Sequence, residues 1–222
     1  MTPYYESGGI TIYHGDCRDV LPKLPLSPLI LTDIPYAEAT RESAGLRNLN
    51  RGNADSPTFQ IDEWLPLVCG RMSGSLYVWC GFQQFSEIDR FFRKRGLSRR
   101  CLVWEKTNPS PMNGQYLWLS GIELCAYGKM ALATFNGFCL NTVLRGPTSP
   151  PNGHPTPKPE WLMGTLIQVS SNVGDLILDP CCGSGSVLRA AKELGRCAIG
   201  IEIEEKYCEI AARRLDQEVL AL

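Results

Sequence analysis

Acids stand where two hydrophobic runs end. In ILTDIPYAEA (residues 30–39) the run Leu29–Thr32 stops at the carboxylate of Asp33, and Pro35 and Tyr36 follow at once. A strand closing on a turn would explain Asp and Pro unaided, so the rest of the chain must decide whether this acid does chemistry. The second run is DLILDPCCGSGSVLRAAKELGRCAIGIEI (residues 175–203), where one strand ends at Asp179, a turn carries Gly183 and Gly185, and the next strand ends at Glu202. Glycines in such a turn let the backbone approach a ligand, and an acid at the second strand tip binds two ribose hydroxyls. A pyrophosphate-binding G-x-G-x-x-G would need a third glycine where Leu188 stands. Asp179 would also repel a pyrophosphate, whereas it suits a cationic or amino-bearing ligand. The turn therefore reads as a nucleoside site, with a tight βα turn that binds nothing as the plain alternative.

The elements that must position these residues follow from periodicity. Short strands are expected at Ile10–Tyr13, Leu29–Thr32, Ser75–Cys80, Cys101–Trp104, Ile122–Tyr127, Leu176–Leu178 and Cys197–Ile201. Helices are expected around Arg18–Leu24, Glu63–Met72, Phe85–Lys94, Pro159–Val169, Val187–Leu194 and Glu204–Val219. Residues 37–60 and 128–153 read as long irregular segments, a length that in compact domains goes with function or disorder. Strands alternating with helices imply an α/β fold with an open, largely parallel sheet.

Composition narrows the function classes. The chain has 222 residues, 44% apolar and 20% charged, with a net charge of −1, so any nucleic-acid surface must be local. A single domain, 1–222, is the simplest expectation. No apolar run approaches the ~20 residues that span a bilayer, and the polar start MTPYYESGG lacks the features of a signal peptide. Ten cysteines with no CxxC pair and only two histidines offer no zinc spacing, so no metal is expected. Reduced cysteines fit a cytoplasmic location.

At this point the sequence resembles a known family. DPCCGSGS (residues 179–186) is similar to the D-P-F-x-G-S-G-T cofactor loop of the amino-methyltransferases that modify DNA with S-adenosylmethionine. GHPTPKPEWL (153–162) looks like that family's H-P-T-x-K-P segment, TDIPY takes the place of its D-P-P-Y, and HGDCRDVL looks like its G-D-x-x-x-x-L. The order of these motifs, from about residue 10 to 215, is that of the permuted, β-type members. Three departures stand out: Cys181 for an aromatic, Ser186 for Thr, and Ile34 for the first Pro of D-P-P-Y.

The resemblance implies a Rossmann-like methyltransferase fold with helices on both faces of the sheet, S-adenosylmethionine as cofactor, DNA as partner, and room for a homodimer. It assigns Asp33, Ile34, Pro35 and Tyr36 to catalysis: Asp33 and the Ile34 carbonyl accept the two N–H groups of the target amine, and Tyr36 stacks on a flipped base. It assigns Asp179, Cys181, Gly183, Gly185, Glu202, Asp16, Thr156 and Lys158 to the cofactor. Asp16 has an alternative as a helix N-cap, Lys158 as a solvated charge, and His154 reads as structural. Arg41, Arg47 and Arg51 make 37–60 a DNA-facing loop, and 128–153 takes the position of a short target-recognition segment. The cluster Arg90, Arg93, Lys94, Arg95, Arg99 and Arg100 is a second phosphate candidate, or simply a charged helix end. An acid at position 33 favours adenine N6 over cytosine N4. A cytosine-C5 enzyme using Cys181 as nucleophile is set aside because that cysteine lies in the cofactor loop. A binding module whose catalytic turn decayed at Ile34 is the alternative from another class.

Overall fold

The computed structural model of the chain describes residues 1–36, 59–110, 118–150 and 157–217. Within them nine strands pair in one sheet: β1 (Tyr5–Ser7), β2 (Ile10–His14), β3 (Ser27–Asp33), β4 (Met72–Cys80), β5 (Ser98–Lys106), β6 (Ile122–Lys129), β7 (Val143–Gly146), β8 (Leu176–Asp179) and β9 (Cys197–Glu202). Their order across the sheet is β1-β2-β9-β8-β3-β4-β6-β5-β7. β2, β9, β8, β3 and β4 run parallel, each hydrogen-bonded to the next. β6 enters antiparallel between β4 and β5, β7 lies parallel to β5, and β1 is antiparallel to β2.

The sheet separates two cores. Leu29 and Leu31 of β3 join Ile10, Ile12 and Ile177 on one face, beneath α4 (Glu160–Ser170), α5 (Ser186–Glu193) and α6 (Glu205–Asp216), which contribute Leu166, Leu188 and Leu215. Ile30 and Ile34 point the other way, with Leu76, Val78 and Ile201, toward α1 (Cys17–Val20), the 3-10 turn Leu21–Lys23, α2 (Ile61–Cys69) and α3 (Phe82–Lys94). The two-residue alternation sends successive side chains of β3 to opposite faces. Because both faces are covered, the strand reads as one continuous apolar run. This is the open α/β sheet with helices on both faces that the sequence implied.

Three expectations need correction. The helix expected over Glu63–Met72 is α2, Ile61–Cys69; it ends at Gly70, and Met72 already opens β4. The segment 128–153 is not wholly irregular, since β6 runs to Lys129 and Val143–Gly146 forms β7. β7 buries only its glycine, so its sequence carries no alternation to reveal it. β1 was missed for the same reason, being the polar triplet Tyr-Glu-Ser. Among the described residues no helix is long and apolar enough to cross a membrane.

β3 begins irregularly. Pro28 has no N–H to give to a ladder, and the register with β4 shifts between Ser27 and Leu29. The Ser27 hydroxyl, wholly buried, is shared between the carbonyls of Leu29 at 2.7 Å and Leu176 at 2.8 Å, which ties the bulge to β8. Opposite the bulge stands Gly74, where a Cβ would overlap the Pro28 carbonyl oxygen and lie 3.0 Å from its carbon. Gly74→Ala therefore forces β3 and β4 apart and is expected to cost about 1–3 kcal/mol of stability. Gly164→Ala, in the middle of α4 where the new methyl meets only Leu194 at 3.7 Å, is expected to gain about 0.5–1 kcal/mol. Urea or thermal unfolding of the two variants checks the pair; equal stabilities would refute the close approach.

Candidate active site

Parallel neighbours end on the same side of a sheet, and here that edge collects acids. Asp16 lies two residues past the end of β2, Glu202 closes β9, Asp179 closes β8 and Asp33 closes β3, in that spatial order. β6 runs the other way, so Glu123, near its start, arrives at the same edge, as does Lys106 at the end of β5. The carboxyl ends of parallel strands are where open α/β sheets bind ligands.

The half formed by β8, β9 and β2 is a cradle of backbone and carboxylates. The turn after β8 passes through Gly183 (φ +49°) and Gly185 (φ +78°), left-handed conformations that favour glycine. Glu202 is buried and accepts the Gly183 N–H at 2.9 Å and the Glu204 N–H at 2.8 Å; burial raises its carboxyl above the usual range. Asp179 accepts the Cys181 N–H at 3.1 Å, and burial pushes its carboxyl up to about 7. Its charged neighbours are Asp33 and Glu202, and among the described residues no cation pairs with it. A ligand bringing an ammonium group would supply the missing countercharge, so the residues fit an amino-acid-bearing nucleoside such as S-adenosylmethionine. The Cys181 thiol is pushed well up by its hydrogen bond with Cys17 and by burial, so it stays protonated and is a poor nucleophile. Asp16 serves as the N-cap of α1, accepting the Arg18 N–H at 2.8 Å, and pairs with the Arg18 guanidinium at 2.6 Å.

The half formed by β3, β4 and β6 is a charged network. The ammonium of Lys158, just ahead of α4, is buried and sits 2.5 Å from Asp33 Oδ2 and 3.0 Å from Glu123 Oε2. Glu123 also pairs with Lys106 at 2.7 Å and accepts the Tyr36 hydroxyl at 3.1 Å. Lys158 reaches the Tyr36 oxygen at 3.3 Å and lies 5.2 Å from the centre of its ring. Burial works against the Glu123 carboxylate, but Lys158 and Lys106 hold it down at about 2. Burial, helped by Glu123, moves the Asp33 carboxyl up against the opposing pull of Lys158.

The turn itself is braced from α3 and β4. Gln84, buried, donates to the Pro35 carbonyl at 2.8 Å and accepts the Gly81 N–H at 2.9 Å. Ile34 donates its N–H to the Trp79 carbonyl at 3.1 Å, a bond that a proline there could not make, and its side chain is buried in the α1–α3 core.

Of the residues singled out in the sequence, Asp33, Ile34, Pro35, Tyr36, Asp16, Lys158, Asp179, Cys181, Gly183, Gly185 and Glu202 all lie along this edge. Lys158 is no solvated charge; it is buried and joined to Asp33. Thr156, His154, Arg41, Arg47 and Arg51 lie outside the described residues, as do most of 37–60 and the last residues of 128–153. The basic cluster stands elsewhere: Arg99 and Arg100 open β5, level with Gly128 and Leu76, at the opposite edge of the sheet. Arg99 pairs with Asp89 at 2.7 Å, which suits a charged helix end. Glu123, Lys106 and Gln84 escaped sequence reasoning. The only trace was a charged residue at the end of one apolar run, LVWEK, and at the start of another, IELCAY.

Comparison with known proteins agrees with this geometry. Residues 134–213 match a family model described as DNA methylase. The chain is 33% identical over 214 residues to "Putative methylase YubD" of Escherichia coli (strain K12), covering 90% of this chain and 88% of that protein. The crystal structure of the M1.HpyAVI–SAM complex superposes with a TM-score of 0.74 at 27% identity, over 93% of this chain and all of that one. The cytosine-N4-specific PvuII DNA methyltransferase shares the fold, with a TM-score of 0.77 at 17% identity over 99% of this chain and 90% of its own. The acid-lined strand tips therefore belong to a member of the S-adenosylmethionine-dependent DNA methyltransferase family that modifies adenine N6 or cytosine N4.

Proposed function

We propose that the chain methylates the N6 amine of adenine in DNA, with the β-type, permuted arrangement of its motifs. The observation that carries this reading is the pairing of Asp33 and Tyr36 in one braced turn next to the acids Asp179 and Glu202. S-adenosylmethionine, when bound, supplies an electrophilic methyl group on a sulfonium sulfur, and the electron pair of the broken C–S bond leaves with that sulfur.

The chain's residues do the rest. An exocyclic amine is a poor nucleophile because its lone pair is delocalised into the ring. Asp33 accepts one N–H and the Ile34 carbonyl the other, which makes the nitrogen more tetrahedral and directs its lone pair at the methyl carbon. The Pro35 carbonyl is committed to Gln84, which fixes the turn that presents both acceptors. Tyr36 stacks on the base after it leaves the duplex. The methylated nitrogen then loses a proton to water. Asp179 holds the ammonium end of the cofactor with the Gly183–Gly185 backbone and Cys181 beside it, Glu202 the ribose hydroxyls and Asp16 the adenine amine. Thr156 and Lys158 line the methionine end. Arg41, Arg47 and Arg51 of the 37–60 loop contact DNA phosphates, and 128–153 reads the target; a cytoplasmic location belongs to the same reading.

The adenine assignment rests on an acid, rather than a serine, at position 33. Cytosine N4 is the second reading; the fold shared with a cytosine-N4-specific enzyme favours it, and it needs the same groups.

Labelled S-adenosylmethionine and unmethylated duplex DNA, with product nucleosides resolved by mass spectrometry, test the reading. N6-methyladenine is the expected product, and Asp33→Ala is expected to lower the rate by about 100-fold or more. N4-methylcytosine would move the reading to the other base, and no product despite cofactor binding would overturn it. Cofactor affinity should also follow the ionisation of Asp179. A carboxyl raised to about 7 is mostly neutral at pH 5.5 and gains its charge as pH rises. The dissociation constant measured by calorimetry is therefore expected to tighten about tenfold between pH 5.5 and 7, and Asp179→Asn is expected to flatten that dependence. Cys181→Ser should keep some transfer activity; its complete loss with intact cofactor binding would reopen a thiol mechanism.

A further inference from the structure

We propose that Glu123 is a positioning residue of the transfer step, holding the Tyr36 ring and taking over the Lys158 ammonium when the target amine arrives at Asp33. The proposal rests on the methyltransferase reading above and adds a residue to that site.

The argument starts from which atom of Asp33 a base can reach. The side chain is 31% exposed, yet Oδ1 is fully buried and has no partner among the described residues. The accessible acceptor is thus Oδ2, and Lys158 occupies it at 2.5 Å. An amine can use that oxygen only if the ammonium moves aside or shares it. Lys158 is itself buried, and a buried ammonium without an anion is strongly disfavoured. It needs a second carboxylate within reach, and Glu123 Oε2 already stands 3.0 Å away. Glu123 is suited to that task because Lys106 holds its other oxygen, Oε1, at 2.7 Å, keeping the carboxylate in place while Lys158 shifts toward it.

The same oxygen that meets Lys158 accepts the Tyr36 hydroxyl at 3.1 Å. The stacking ring is therefore fixed from its far end, and the acceptor and the aromatic surface are set by one carboxylate. Two acids, Asp33 and Glu123, balance two lysines, Lys158 and Lys106. Removing the Glu123 charge leaves Lys158 with Asp33 as its sole anion among the described residues, which locks the acceptor.

Glu123→Gln keeps the size of the side chain and an oxygen for Tyr36 while removing the charge. The experiment measures single-turnover methyl transfer to duplex DNA across pH, beside calorimetric binding of S-adenosylmethionine and thermal unfolding. Glu123→Gln is expected to slow the single-turnover rate about 10- to 100-fold, with cofactor affinity within about twofold of wild type. The acid limb of the rate profile is a second readout. The titratable groups facing Asp33 are Lys158, Tyr36, Glu123 and Asp179, with Cys80 nearby. Of these Glu123 raises the Asp33 carboxyl, so its neutralisation is expected to move the acid limb to lower pH.

The double variant Glu123→Gln/Lys106→Gln separates positioning from charge balance, and it serves if the single variant folds poorly. It restores neutrality, so a role limited to balancing charge would return the rate to near wild type and overturn the proposal. A double variant that folds but stays slow supports it. A single variant as fast as wild type with an unmoved acid limb overturns the proposal alone. A wild-type protein that binds S-adenosylmethionine and transfers nothing overturns the methyltransferase reading and this proposal with it.

Discussion

Gathering carboxylates at one edge of a sheet costs free energy, because each loses water and each repels the next. This structure offsets that cost differently at the two ends of the row. At the β3–β6 end two lysines are inserted, so Asp33 and Glu123 stand in a neutral network whose members fix one another. At the β8–β9 end the offset comes from uncharged donors, the Thr32 hydroxyl and backbone N–H groups, and the Asp179 carboxyl drifts up to about 7. One end is complete in itself; the other is left short of positive charge, which is the electrostatic form of a ligand site.

The network also explains how a departure from the family pattern is absorbed. With isoleucine at 34 the turn loses one rigid ring, but it gains a backbone hydrogen bond to Trp79 and apolar contacts beneath it. Pro35 remains, and its carbonyl is held by Gln84. Rigidity that a second proline would supply through its ring is supplied instead by bonds to β4 and α3. Asp33 and the Tyr36 ring keep their relation because Glu123 and Lys158 hold both from outside the turn.

What could be read from the sequence was the set of residues whose position follows from local pattern. Asp33, Asp179 and Glu202 end apolar runs, so their place at strand tips was legible, and a parallel α/β sheet then puts strand tips together. Lys158 was legible as a candidate for the site but not as the partner of Asp33, since 125 positions separate them and only the packing of α4 beside β3 unites them. Glu123 and Gln84 were illegible for a related reason. Glu123 reaches the site through the antiparallel register of β6 on β4, and Gln84 through the angle at which α3 leaves β4. Neither is announced by any spacing. The edge strands β1 and β7 stayed hidden because strands so exposed carry almost no alternation.

The strand order has a consequence for how the protein is made. β2 and β3 are neighbours along the chain but not in the sheet; the gap between them is filled by β8 and β9, which follow much later in the chain. Until residue 179 has left the ribosome, β3 presents an unpaired apolar edge where β8 will dock, the kind of surface that invites wrong pairings and chaperone attention. Asp33 and Asp179 likewise meet only when the nascent chain closes on itself. The ligand site is thus assembled by the same late event that seals the sheet, so an incomplete chain has neither a finished core nor a place to bind.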